Sequence, residues 1–199
     1  MTREDVLEFW FGDLAADRPV ADEVKRRWWI KDPGFDREIG ARFGASIASA
    51  AAGDLDAWAD DPVGIVALVV LLDQFTRNTR RGTGAMYDND EQALQLSRMA
   101  LDAGIHEGLH PDHRCLLVMP FMHSEDPVDQ ERCVAWTERF AEDMEGGAWA
   151  ESAKQLAHYA RLHRDIVVRW GRFPHRNALL GRASTAEEID FLKTPGSSF

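Results

Sequence analysis

Apolar residues recur along the chain three and four positions apart, the period of an amphipathic helix rather than of a strand. Val6, Leu7, Trp10 and Phe11 form a short stripe, and Phe35, Ile39, Phe43 and Ile47 return every fourth residue along one face. Leu94, Met99 and Leu101, then Cys133, Trp136, Phe140 and Met144, continue the pattern. No convincing alternation of period two, bounded by turn residues, marks a strand. The one ambiguous run, Ile65 to Leu72, passes without a break into Asp73-Gln74-Phe75-Thr76-Arg77-Asn78, so the combined segment predicts a central helix.

Start signals divide the pattern. Asp32-Pro33, Asp61-Pro62 and Asp126-Pro127 each supply a capping carboxylate, followed by a proline where the missing N–H costs nothing. Thr2 with Asp5, and Ser184 with Glu187, have the spacing of a capping box. The connections, at Gly53-Asp54, Gly82-Thr83-Gly84, Gly104 to Pro111, Glu125-Asp126 and Gly146-Gly147, are short enough to join antiparallel neighbours. The expectation is an all-α fold of roughly eight helices in successive hairpins. It forms a single domain over residues 1–194 with a loose tail at 195–199. Pro120, inside an apolar stretch, should kink or interrupt its helix.

Composition narrows the function. With 45% hydrophobic and 29% charged residues, the 199-residue chain can bury a core without disulfides or metals. Its net charge of −11 disfavours general nucleic-acid binding and attachment to anionic membranes, both of which need a basic face. The charged start lacks the apolar stretch of a signal peptide, and no run approaches a membrane span, so a soluble, cytoplasmic protein is expected. Two cysteines make no disulfide framework; Cys115 and Cys133 should be reduced and packed. No cofactor is indicated. There is no glycine-rich phosphate loop and no His-Glu-x-x-His zinc motif, and the spacing of His110 and His113 is a weak metal signal. The tryptophans, Trp28-Trp29 and Trp170 among them, read as core. Self-association into a homodimer is compatible with the sequence, though no particular patch supports it.

Three stretches are too polar for simple helix patterning. In the first, Asp73 and Arg77 share a helix face, as do Gln74 and Asn78, directly after the most apolar segment of the chain. The second is Met119-Pro120-Phe121-Met122-His123-Ser124-Glu125-Asp126, followed by Asp129-Gln130. His123 and Ser124 are adjacent and therefore point about 100° apart on a helix, so adjacency alone makes no nucleophile–base pair. Helix-end capping by Ser124 and Asp126 is the simpler reading there. The third runs from Arg161 to Arg182, with Arg161, Arg164, Arg169, Arg172, Arg176 and Arg182 against a single Asp165. Guanidinium groups suit carboxylate or phosphate, but in an acidic chain they can equally balance carboxylates from other helices.

These stretches resemble an uncharacterised, mostly bacterial family, domain of unknown function 924. The residues that carry the resemblance begin with Val6-Leu7-Glu8-Phe9-Trp10-Phe11 and Leu72-Asp73-Gln74-Phe75-Thr76-Arg77-Asn78. Met119 to Glu125, Gly171-Arg172-Phe173-Pro174-His175-Arg176-Asn177 and Leu180-Gly181-Arg182 complete the series. The resemblance spans essentially the whole chain. It implies a tetratricopeptide-like α-α superhelix and supplies no established activity; Asp88 and Asp90 also lie in a family-like stretch.

Three readings follow. In the first, the clusters converge on a pocket for a small anionic ligand. Arg77, Arg172 and Arg176 would hold carboxylate or phosphate, with Asp73, Gln74, Asn78, Ser124 and Asn177 completing the binding set. His123, Glu125 and His175 would be catalytic proton-transfer groups if hydrolase- or transferase-type chemistry occurs. In the second, the fold is a peptide-binding helical module. In the third, the clusters form a buried polar network with no ligand. A closed pocket favours the small ligand, and an open groove with exposed aromatics favours a peptide.

Overall fold

The structure, a computed structural model, describes residues 1–198 and divides into two compact units. The first comprises Met1–Arg81 and Ala85–Pro120; the second comprises Gly82–Gly84 and the chain from Phe121 on. Among the described residues there are helices and turns but no strand. No helix among them is long and apolar enough to cross a membrane.

The first unit contains α1 (Arg3–Phe11), α2 (Asp22–Trp29), α3 (Pro33–Ala51), α4 (Pro62–Val69), α5 (Thr76–Thr79) and α6 (Asp90–Asp102). It ends within α7 (Pro111–His123). The predicted starts are local hydrogen bonds. Asp32 Oδ1 accepts from Gly34 N at 2.7 Å, Asp61 Oδ1 from Val63 N at 2.8 Å, and Thr2 with Asp5 closes a capping box. The Phe35, Ile39, Phe43 and Ile47 stripe of α3 is buried, and Phe43 meets Phe9 and Phe75 at ring separations of 4.9 and 4.8 Å. Met99, in contrast to Leu94 and Leu101, is 42% exposed, because its position faces away from the buried side of α6.

The central segment is continuous, as its pattern predicts, but not uniformly α-helical. Between α4 and α5, Val70–Phe75 widens into a π-helix, and every residue from Gly64 to Phe75 is buried. Gly64 lets the start of α4 pass a neighbouring backbone: a Cβ there would lie 2.0 Å from the Trp58 carbonyl oxygen. Gly64→Ala should therefore cost about 2–3 kcal/mol through forced backbone displacement. Urea unfolding checks this, with Gly44→Ala, where no atom lies within 4 Å, as the permissive control.

Three local expectations need correction. Pro120 does not interrupt α7, whose helical run continues to His123; a proline removes one backbone donor, and the residues around it from Leu116 to Met122 are held by burial. Trp28 does pack inward, stacking on Trp10 at 5.6 Å, but Trp29 is 67% exposed, since consecutive helical side chains diverge by about 100°. The last capping box lies one residue later than Ser184–Glu187: Thr185 caps Glu188, which is buried, while Glu187 is exposed.

In the second unit, α8 (Pro127–Asp143) and α9 (Ala150–Trp170) form an antiparallel hairpin around the Gly146-Gly147 turn. Gly171 ends α9 in the left-handed conformation at φ 66°. A short turn at Pro174–Arg176 leads on to α10 (Ala186–Phe191). Near the chain end Ser197 is buried, and its hydroxyl donates to the Leu192 carbonyl at 3.2 Å. Neither Cys115 nor Cys133 is in a disulfide, and burial pushes each thiol up to about 12, which makes them poor nucleophiles.

Candidate functional site

The predicted site residues fall in both units, and each group is built by its own helices. In the first unit the π-helix carries Asp73 into the interior with no exposure. Its Oδ2 accepts from Gln74 Nε2 at 2.5 Å and its Oδ1 from Arg77 Nε at 3.1 Å. Arg77 also donates to Asp90 at 2.8 Å and lies over the Tyr87 ring. Burial opposes the Arg77 charge, but Asp73 and Asp90 overcome it and raise its pKa above the ordinary arginine value. Asn78 donates to Asp36 at 2.8 Å, and Arg81 engages the same carboxylate at 2.8 and 3.1 Å. The hydroxyl of Thr76 donates to Leu71 O, five residues back, and accepts from Asn89, which fastens the π-helix to the residue before α6.

In the second unit, the end of α7 and the segment after α9 are joined by carboxylate–guanidinium contacts. Glu125 accepts from Arg182 at 2.6 and 2.9 Å and from Phe173 N at 2.7 Å. Burial alone would raise its carboxyl, but Arg182 and the Phe173 N–H prevail and hold it below the usual range. A carboxylate held ionised in this way is an acceptor at neutral pH, not a proton donor. Arg176, itself buried, donates to His123 O at 2.8 Å and lies over the Phe173 ring. The rings of His163 and His175 flank Phe173, and His123 lies 6.5 Å from His163. His163 is buried, and its pKa falls to about 3 by desolvation, reinforced by the nearby His123 and Arg176.

Ser124 behaves as a helix-end residue. Its hydroxyl donates to Asp129 at 2.7 Å and accepts from Asp126 N, while buried Gln130 donates to the carbonyls of Phe121, Met122 and Ser124. Farther along, Glu188 collects Arg172 Nε at 2.8 Å, Arg172 Nη2 at 2.9 Å, Thr185 N at 2.7 Å and Asn177 Nδ2 at 3.3 Å. Arg172 above all, against burial and with help from the Thr185 N–H, draws its carboxyl down to about 2.

Beside that pair lies an open cleft of about 610 Å³, lined by Arg169, Trp170, Arg172 and Thr185 to Glu188. Arg169 stacks on Trp170, 4.4 Å from its ring centre, and has no carboxylate partner among the described residues. Among those residues no group of three or more His, Cys, Asp or Glu is placed to hold a metal ion.

Within the second unit the structure thus brings Glu125, His175 and Arg176 against Phe173, ties Arg176 to the His123 carbonyl, and sets Arg172 with Asn177 around Glu188. Sequence reasoning missed Glu188, Arg182 and Arg169 as site members. A signal for Glu188 existed, because Thr185-x-x-Glu188 has the capping-box spacing as fully as its neighbour Ser184-x-x-Glu187. Asp36 carried no such signal, since its partner Arg81 lies 45 residues away.

Helices alone, a buried π-helical carboxylate and a hairpin whose following segment is tied back by arginines define an all-α protein organised by internal ion pairs. The chain belongs to the family described as bacterial protein of unknown function, DUF924, which matches residues 6–196. A solved structure described as a protein of unknown function from Agrobacterium tumefaciens is similar, at 34% identity and a TM-score of 0.81 over 96% of each chain. No curated protein matched.

Proposed function

We propose that the protein is a helical binding module whose second unit takes an extended peptide segment in the cleft at Arg169 and Trp170. One observation carries this reading: an open cleft, in which Glu188 is held by Arg172, presents the Arg169 guanidinium stacked on an aromatic ring and in no ion pair with a carboxylate of the described residues. A segment bearing an acidic residue beside an apolar one would satisfy both surfaces, the carboxylate on Arg169 and the apolar side chain along Trp170 and Ala186. The arginines of the small-anion reading are less available. Arg77, Arg172 and Arg182 are each engaged by carboxylates, and Arg176 by a backbone carbonyl. Here Arg172 and Glu188 serve as the floor of the cleft rather than as ligand contacts.

The openness of the cleft favours a peptide over an enclosed metabolite and fits a tetratricopeptide-like use of helical hairpins. Selection of a displayed random peptide library on the intact protein tests it. Enriched acidic-apolar segments should lose at least 10-fold in affinity with Arg169→Glu, since a like charge would replace the attractive one. A library without enrichment, together with thermal stabilisation by anionic metabolites that Arg172→Ala abolishes, would replace this reading with the small-ligand one.

A further inference from the structure

The face of α2 turned away from the first unit's core carries a charge pattern that complements itself. Three contacts fix which side of α2 faces inward: Trp28 Nε1 donates to Trp10 O, Arg27 donates to Phe9 O, and Lys25 pairs with buried Asp112. The opposite stripe, Asp22, Arg26 and Trp29, follows the i, i+4, i+7 spacing of a single helix face and is exposed throughout. Trp29 and Ile30 are 67% and 52% exposed, two large apolar side chains in succession. The side chains of Asp22, Glu23, Arg26 and Lys31 make no hydrogen bond or ion pair among the described residues. α2 therefore begins acidic, ends basic, and exposes an aromatic residue at its basic end.

We propose that α2 is a self-association surface, pairing antiparallel with α2 of a second copy across a two-fold axis. Such an axis sets the acidic start of each helix against the basic end of the other, so Asp22 and Glu23 meet Arg26 and Lys31 twice over. The two Trp29–Ile30 pairs then cover the partner helix at either end. An antiparallel pair also opposes the helix dipoles favourably. Other occupants fit less well. An anionic membrane or a nucleic acid would meet Asp22 and Glu23 as well as a chain of net charge −11.

Sedimentation velocity over a concentration series tests this on the full chain, with circular dichroism confirming that each variant is folded. The parent should pass from monomer to dimer with rising concentration, and added salt should weaken the dimer by screening its charges. Trp29→Ser should weaken it about 30-fold, the scale of an aromatic hot spot. Glu23→Arg and Arg26→Glu should each be monomeric alone, since each sets like charges of the two copies against one another. Mixed together they should restore a heterodimer, which damage to folding could not do. A parent that stays monomeric at every concentration, a dimer indifferent to these substitutions, or a mixture that fails to associate would each overturn the proposal.

Discussion

Glu188→Ala should cost about 2–3 kcal/mol, more than an exposed ion pair is worth and less than breaking a fully buried one, because the Arg172 side chain keeps 28% of its surface in solvent. The midpoint of thermal unfolding should then fall by roughly 4–12 °C. One side chain with 2% exposure closes the capping box of α10, receives both nitrogens that Arg172 offers, and accepts from Asn177. Alanine leaves all three groups without that acceptor in a confined place, where the loss exceeds the net worth of any single hydrogen bond. Glu187→Ala, at the exposed neighbouring position, should stay within about 0.5 kcal/mol of the parent. A double-mutant cycle with Arg172→Ala separates coupling from helix propensity: the pair together should cost less than the sum of the two singles. Equal losses at 187 and 188 would show that the residue acts only through the helix.

The second large effect is acid lability, because two histidines are buried without charge. His163 in the second unit and His113 in the first are each 6% exposed. Burial lowers their pKa values to about 3 and about 4, against 6.5 for an unperturbed histidine. Below 6.5 the unfolded chain binds protons that the folded chain refuses, so stability falls as the pH falls. Between pH 7.5 and 4.5 each residue should remove about 2–3 kcal/mol. Glu188, drawn to about 2, gives up its stabilisation only as the pH drops below the ordinary carboxylate value. Denaturant titrations at pH 7.5, 6.0 and 4.5 should therefore show a steep decline in the parent. His163→Gln and His113→Gln, which cannot titrate, should each flatten part of that slope whatever they cost at pH 7.5. An unchanged slope in both variants would assign the acid lability elsewhere.

Much of the secondary structure was legible because its causes are local. The aspartate–proline starts, the capping box at Thr2 and the four-residue stripe of α3 are interactions within one or two helical turns, and the structure realises each of them. Where two local solutions competed, the sequence could not choose. Ser184 and Thr185 offer equivalent boxes, and Arg172, lying 16 residues before Glu188, selects the second. The π-helix was illegible for a related reason. One extra residue within a turn leaves the apolar run unaltered, and it becomes visible only in the placement of Asp73 and in the bond from Thr76 back to Leu71.

The candidate site shows the same division. The arginine-rich segment was evident from composition, as was its contrast with an acidic chain, and both an anion site and internal charge balance were compatible with it. Contacts across long sequence separations decided which carboxylate each guanidinium meets: Glu125 reaches Arg182 over 57 residues, and Asp36 reaches Arg81 over 45. The sequence by itself determined an all-helical chain, its main helix starts and where its polar stretches lie, because helical periodicity and capping depend on neighbours three and four residues apart. Only the tertiary structure decided that those arginines are mostly engaged, that Trp28 packs while Trp29 projects, and that Arg169 faces an open cleft. Burial and ion pairing are properties of what the rest of the fold brings to a side chain, which no local pattern encodes.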